Sequence, residues 1–289
     1  YVEDAFDLRP ALKLLAGLRY DDIDLRRDAL ATPSTTPSTY RKGYQPVTGR
    51  AGAVWSVTPQ LNLYASYSRA AEPVTQLVSF TSSRDTTTLQ TGRQYEIGAK
   101  GTVADGRADF TFALFDIEKN DLLASTLDPT TGERLSQQIG SQNSRGAEFA
   151  LAVSPGHDWR IEANVAYTDA WYGDYAENLG GGIIDRTGHT PANVPEWVAA
   201  IFVSKRFAHG LTLSGGPRYV GERYGNTNNS VVADDYVILD LAASYTWRHV
   251  IFTLRGRNLL DETYEPVAGT TMRRLGDPRS CEFTTHVAF

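Results

Sequence analysis

Arg279-Ser280-Cys281-Glu282-Phe283-Thr284-Thr285-His286-Val287-Ala288-Phe289 ends the chain without a polar tail. Counted back from the end, Phe289, Val287, Thr285, Phe283 and Cys281 carry no charge, while Glu282, Thr284 and His286 take the other parity. Alternation with period two is a strand with one apolar face. Chain ends ordinarily run out into water, and this one stops on an aromatic ring. A strand of an outer-membrane barrel needs that pattern: an apolar side toward lipid, a polar side toward the lumen, and an aromatic residue at the boundary. The half-buried strand of a soluble sheet shares the alternation, so the rest of the chain has to decide.

Working outward, the same pattern recurs. Leu12, Leu14, Ala16, Leu18 and Tyr20 alternate with Lys13, Gly17, Arg19 and Asp21. Trp159, Ile161, Ala163, Val165 and Tyr167 alternate with Arg160, Glu162, Asn164 and Thr168. The runs 61–68 and 237–245 repeat it, and their terminal Tyr and Trp residues suit the interfacial girdles of a membrane barrel. Only 108–118 departs: Phe110, Phe112 and Leu114 lie on the opposite parity from Phe115 and Ile117. A bulge, or a large inward residue near a rim, would account for that.

Two kinds of connection separate the strands, and they alternate. The tight ones are centred on Pro10, Pro59, Asp105, Gly156, His209 and Trp247, built mostly from turn-forming residues. The long ones span about 28–45, 73–91, 128–134, 173–195, 224–234 and 261–278, rich in Thr, Ser, Gly, Asn and Pro. In an up-and-down antiparallel array this places short turns at one end and long loops at the other, as in bacterial outer-membrane barrels, with the short turns expected in the periplasm and the long loops outside the cell. A soluble propeller is the competing architecture. Strands of about ten residues, longer than is usual in globular sheets, and charges along the whole polar face count against it.

The 289 residues carry a formal net charge of -6, so composition gives no reason to expect a nucleic-acid partner. No apolar run reaches the roughly eighteen residues of a membrane-spanning helix, and the mean hydropathy is -0.33. Half-apolar barrel strands are compatible with both facts. Cys281 is the single cysteine and has no internal disulfide partner. Tyr1 to Asp7 already reads as strand with no signal-peptide pattern before it. The expectation is therefore the C-terminal part of a longer barrel, about thirteen strands, an odd count where complete bacterial barrels have even ones.

Four segments resemble the TonB-dependent outer-membrane receptors, and among them the ferric-siderophore receptors. Gly92-Arg93-Gln94-Tyr95-Glu96-Ile97-Gly98-Ala99-Lys100-Gly101 is similar to the family's aromatic-Glu-apolar-Gly-x-Lys strand. Asp128-Pro129-Thr130-Thr131-Gly132-Glu133, followed by Gly140 and Ser144-Arg145-Gly146-Ala147-Glu148, resembles its loop and Arg-Gly-apolar-Glu strand. Thr190-Pro191-Ala192-Asn193-Val194-Pro195 looks like its Pro-x-Asn-x-Pro segment. Arg257-Asn258-Leu259-Leu260-Asp261-Glu262-Thr263-Tyr264 looks like its Asn-Leu-apolar-Asp-x-x-Tyr segment, and terminal Phe289 is a fifth match. Each is weak alone; together and in order they are specific.

The resemblance implies an all-β transmembrane antiparallel barrel of about twenty-two strands, plugged by an N-terminal domain. On that reading residues 1–289 are the C-terminal part of the barrel, with the plug, the TonB-contacting segment and the early strands absent. It also implies TonB-dependent uptake of a ferric siderophore across the bacterial outer membrane, with iron present only inside the chelate and no resident cofactor. TonB and the barrel assembly machinery are the implied protein partners, and outer-membrane lipid and lipopolysaccharide the surroundings. A receptor for cobalamin, a carbohydrate or another metal chelate, or a passive porin or adhesive barrel, stays open.

No catalytic arrangement is legible. His157, His189, His209, His249 and His286 are scattered without metal-ligand spacing. Gly180-Gly181-Gly182 lies mid-loop with no helix after it, and no Gly-x-Ser-x-Gly elbow is present. The candidate ligand-binding residues are at the long-loop rim: Trp171, Tyr172 and Tyr175, then Arg223 and Tyr224, then Arg273 and Arg274 beside Met272. Aromatic faces with a few Arg donors suit a bulky anionic chelate; girdle residues and phosphate-binding or solvated arginines are the alternatives. Phe283 and Phe289 are the expected assembly signal, and the same strand would close the complete barrel against its first strand.

Overall fold

The computed structural model describes residues 1–30, 36–73, 88–127, 134–178 and 182–287. Phe289, Gly180, Gly181 and the Asp128–Glu133 part of the second resembling segment lie outside those residues. The first half of the chain gives β1 (Val2–Arg9), β2 (Leu12–Tyr20), β3 (Ile23–Ala29), β4 (Ser38–Tyr44), β5 (Val47–Thr58) and β6 (Leu61–Glu72). Next come β7 (Gln90–Val103), β8 (Ala108–Leu127), β9 (Arg134–Gly156), β10 (Trp159–Asp174), β11 (Ala176–Asn178) and β12 (Ile183–Asp185). The remainder is β13 (Trp197–Arg206), β14 (Leu211–Val220), β15 (Arg223–Tyr224), β16 (Val232–Ala233), β17 (Tyr236–Trp247), β18 (Val250–Arg257) and β19 (Ser280–Val287).

Thirteen of these form one sheet in the order β1-β2-β5-β6-β7-β8-β9-β10-β13-β14-β17-β18-β19, every pair antiparallel. The remaining six pair off as β3-β4, β11-β12 and β15-β16, hairpins in and beside the long connections, with β3 starting at Ile23, ahead of the 28–45 segment. Tyr40, Tyr44, Ile23 and Leu25 give β3 and β4 the β-forming residues that allow this. The tight turns sit where expected, with two refinements: β9 runs on through Gly156, leaving His157–Asp158 as the turn, and Trp247 belongs to β17. His157, Asp158, His209 and Arg248 take positive φ there, and with His249 beside Arg248 three of the five histidines occupy tight turns.

Cross-strand partners share a face, and the register runs the apolar face through as continuous rows. One row is Leu14, Ala53, Ala65, Ile97, Leu114, Ala147, Tyr167 and Trp197. The opposite face carries Ser66, Glu96, Phe115, Gly146 and Thr168 at the neighbouring level. Among the described residues no large side chain is fully buried, and Ile97 is 56% exposed. The apolar surface is thus turned outward instead of into a core, which is stable against lipid and unfavourable against water. Tyr67 packs on Tyr95 and Tyr167 on Trp197, each with ring centroids 4.9 Å apart, marking the boundary of that surface.

The 108–118 departure has a different cause from a bulge. The β8-β9 register runs unbroken from Ala108 to Lys119 and shifts only beyond it. Phe115 is simply inward, and it has room because Gly146 lies opposite: a Cβ there would come within 2.6 Å of the Phe115 ring and would also strike the Tyr167 carbonyl. Gly98 does the same for Tyr64, whose ring would lie 2.6 Å from a Cβ at that position. The Tyr64 hydroxyl donates to Glu96 at 2.7 Å. Two glycines of the resembling segments are therefore slots for inward aromatic rings, a pairing that restores packing over a bare strand.

Candidate functional site

At the long-loop end the connections 175–196, 221–235 and 258–279 fold onto one another. The first turns back along its own strand: Tyr172 N–H donates to His189 O at 2.9 Å, Gly188 N–H to Tyr172 O at 2.8 Å, and Arg186 N–H to Tyr175 O at 2.7 Å. Tyr172 and Tyr175 stack with centroids 4.4 Å apart, and the Tyr175 ring lies where a Cβ on Gly140 would fall. Burial, and then the charge of Glu177, pushes the Tyr175 hydroxyl above the ordinary phenol range.

Two asparagine side chains bracket the backbone of another loop. Asn193 donates from Nδ2 to Ala268 O at 3.0 Å and accepts from Ala268 N–H at 2.9 Å. Asn229 does likewise with Thr190, accepting from its N–H at 2.9 Å and donating to its carbonyl at 2.8 Å. Both asparagines take positive φ, 61° and 55°, a conformation in which Asn is the most tolerated residue after Gly. Ala268 is 1% exposed and lies against Gly225, where an added Cβ would come within 2.8 Å of the Ala268 carbonyl carbon.

A buried ion pair braces the first loop, and a hydroxyl of the second loop joins it. Arg186 Nε lies 2.7 Å from Glu177 Oε1, with both side chains almost wholly covered, and Thr227 Oγ1 donates to the same oxygen at 2.8 Å. Arg223, 3% exposed, gives its guanidinium to the Glu265 carbonyl and lies 5.3 Å from the Tyr236 ring. Glu265 also takes Arg273 on its carboxylate at 2.9 Å. Asn258 anchors the last loop: Nδ2 donates to Glu262 O at 2.8 Å and Asp277 O at 3.0 Å, and Oδ1 accepts from Glu262 N–H at 2.9 Å.

The candidate rim residues thus separate into three groups. Tyr172 and Tyr175 are brought together as a stacked pair at the first loop, and Arg223 is buried apart from them, on the Glu265 carbonyl and the Tyr236 ring. Tyr224, Arg273 and Arg274 lie at or near its surface, with Arg274 and Met272 exposed. Trp171 parts from Tyr172: neighbours on a strand face opposite ways, and Trp171 shares the outward face with Arg145, whose guanidinium is 5.1 Å from its ring. Phe283 faces outward from β19, 65% exposed. The residues that hold the cap, Asn193, Asn229, Asn258, Glu177 and Arg186, were not legible as a site. Asn193 and Asn258 do sit inside two of the resembling segments.

A family model described as TonB dependent receptor-like, beta-barrel, matches residues 1–259. The probable TonB-dependent siderophore receptor PiuA of Acinetobacter baumannii is 26% identical over 276 residues, covering 91% of this chain and 36% of that protein. The ferrichrome outer membrane transporter/phage receptor of Escherichia coli is 29% identical over 280 residues, covering 91% of this chain and 34% of its own length. The crystal structure of the siderophore receptor PiuA from Acinetobacter baumannii superposes with a TM-score of 0.85 at 25% identity, over 98% of this chain and 42% of that one. The chain spans about a third of the length of these curated relatives.

Proposed function

We propose, from the premise that this chain belongs to the TonB-dependent receptor-like β-barrel family, that it is the C-terminal barrel part of a receptor importing a ferric siderophore. The family is one of receptors and transporters in the outer membrane, which agrees with the outward apolar rows and the aromatic boundary. The observation that carries the ligand class is that both relatives above, aligned over nine-tenths of this chain, bear siderophore names. In this reading a plug domain and TonB supply the energy coupling, the barrel assembly machinery inserts the chain through β19, and iron is cargo inside the chelate. Phe283 and Phe289 belong to that assembly signal.

The ligand meets the surface members of the loop cap, Arg273, Arg274 and Tyr224. Tyr172, Tyr175 and Arg223 support them from within, and Trp171 serves the membrane boundary. The complete gene, expressed in a strain without siderophore receptors, is expected to restore growth on at least one of a panel of ferric siderophores. The rescue should vanish in the same strain lacking TonB. Rescue by none, with uptake of cobalamin, a carbohydrate or another chelate, would move the ligand class; uptake that persists without TonB would make the protein a passive pore.

A further inference from the structure

The outward face carries a hollow at the short-turn end that the transport reading does not use. Two outward rows cross there. One is Trp159, Lys205, Leu213, Ala243, Leu254 and Phe283; the next is Val203, Gly215, Leu241, Gly256 and Cys281. Gly215, Gly256 and Ala243 leave its floor almost without side chains, while Leu241 and Leu254 rise beside them. The resulting groove encloses about 570 Å³, a volume in the range of sites for drug-sized ligands. Its lining is apolar but for the polar tip of Lys205, Ser214 and the backbone.

Lys205 marks one end of the groove. Its ammonium lies 4.6 Å from the Trp159 ring centroid and 5.7 Å from that of Phe207. It donates to His157 O at 2.9 Å, which leaves two of its three N–H groups. Among the described residues no carboxylate is within ion-pair reach of it. The outward cations at the opposite boundary differ: Arg93 pairs with Glu118 and Arg145 with Asp169. An outward lysine at an aromatic membrane boundary, uncompensated and capping an apolar groove, presents positive charge where lipid phosphates lie.

We propose that this groove is a phospholipid site: one acyl chain of a lipid of the periplasmic leaflet lies over Gly215, Ala243 and Gly256, and Lys205 takes its phosphate. The proposal rests on the outer-membrane placement of the sheet and is independent of which solute is imported. It differs from general solvation by lipid because the hollow fixes one chain and the single cation selects the headgroup.

The test is native mass spectrometry of the protein purified in neutral detergent. It is offered equal amounts of phosphatidylglycerol and of a diacylglycerol with the same chains. The wild type is expected to retain one phosphatidylglycerol in preference to the diacylglycerol. Lys205→Gln should lower that retention about fivefold, the effect of roughly one basic residue near a membrane surface. Ala243→Phe, which fills the groove without changing charge, should lower it at least as far. Electrophoretic heat-modifiability of both variants confirms that the barrel is folded. Equal retention of the two lipids, or loss in only one of the variants, overturns the site. A homodimer mass that disappears in Ala243→Phe also overturns it and makes the groove a seat for a second copy.

Discussion

Asn258→Gly is the sharpest probe of the loop cap, because Gly keeps the backbone conformation and removes only the side chain. Asn258 holds φ at 47° and is 3% exposed, and its amide makes three hydrogen bonds, to Glu262 O, Asp277 O and Glu262 N–H. At about 1 kcal/mol net per bond, with a further penalty for groups left buried and unpaired, the loss comes to about 2–4 kcal/mol of local opening free energy. That corresponds to roughly 30- to 1000-fold faster amide exchange where opening is the exchange route. Hydrogen exchange followed on the peptide containing Glu262 reads it, since the Glu262 N–H is itself one of the three partners. Asn258→Ala should be worse by about 1–2 kcal/mol, because a Cβ disfavours positive φ, and Asn258→Asp should be no better than Gly because a carboxylate would face two carbonyls. Exchange at Glu262 within about threefold of wild type in the Gly variant, with the sheet amides unchanged, would refute the anchoring role.

Glu177→Gln leaves Arg186 buried without its counter-charge and should loosen 175–196 by about 3–5 kcal/mol; limited proteolysis should then cut this loop first. Replacing both partners, Glu177→Gln with Arg186→Met, should recover much of the loss. Gly146→Ala forces a Cβ against the Tyr167 carbonyl and the Phe115 ring and is expected to lower the yield of heat-modifiable barrel, with Phe115→Ala relieving only the ring part. Tyr175, whose hydroxyl is held above the ordinary phenol value by burial and by Glu177, is neutral in the fold. Its contribution to cap stability is complete below about pH 10, the ordinary phenol value, and is lost as pH rises through the higher folded value. Tyrosinate absorbance should lose one phenol's share of its late amplitude in Tyr175→Phe, with the late titration of buried Tyr172 remaining; a loss of amplitude at the ordinary value instead would contradict the burial.

The sheet was readable because membrane strands repeat one rule, apolar out and polar in, over lengths that leave little ambiguity. Phe283 and Val287 announce their face by parity alone, and the thirteen strands of the main sheet follow. The hairpins β3-β4, β11-β12 and β15-β16 escaped because strands of two or three residues carry too little periodicity, and in the 28–45 segment Thr, Ser and Pro mask the strand residues around them. For Phe115 the sequence left a bulge and an inward residue both open, since nothing in its own strand shows that Gly146 stands opposite it. The cap was invisible for a related reason. Asn193 and Ala268 are 75 residues apart, and an amide that brackets distant backbone looks, in sequence, like any loop asparagine. Arg223 and Tyr172 drew notice for their chemistry, and the fold uses that chemistry to hold loops together.

Because Asn229 clasps Thr190, Asn193 clasps Ala268 and Arg223 reaches the Glu265 carbonyl, the three connections behave as one transplantable part. Exchanging 258–279 alone with a relative would hand Asn193 a stranger to hold, whereas exchanging all three would carry lock and key together. Diversification of such a surface should proceed in matched sets, so a single loop is the wrong unit to graft.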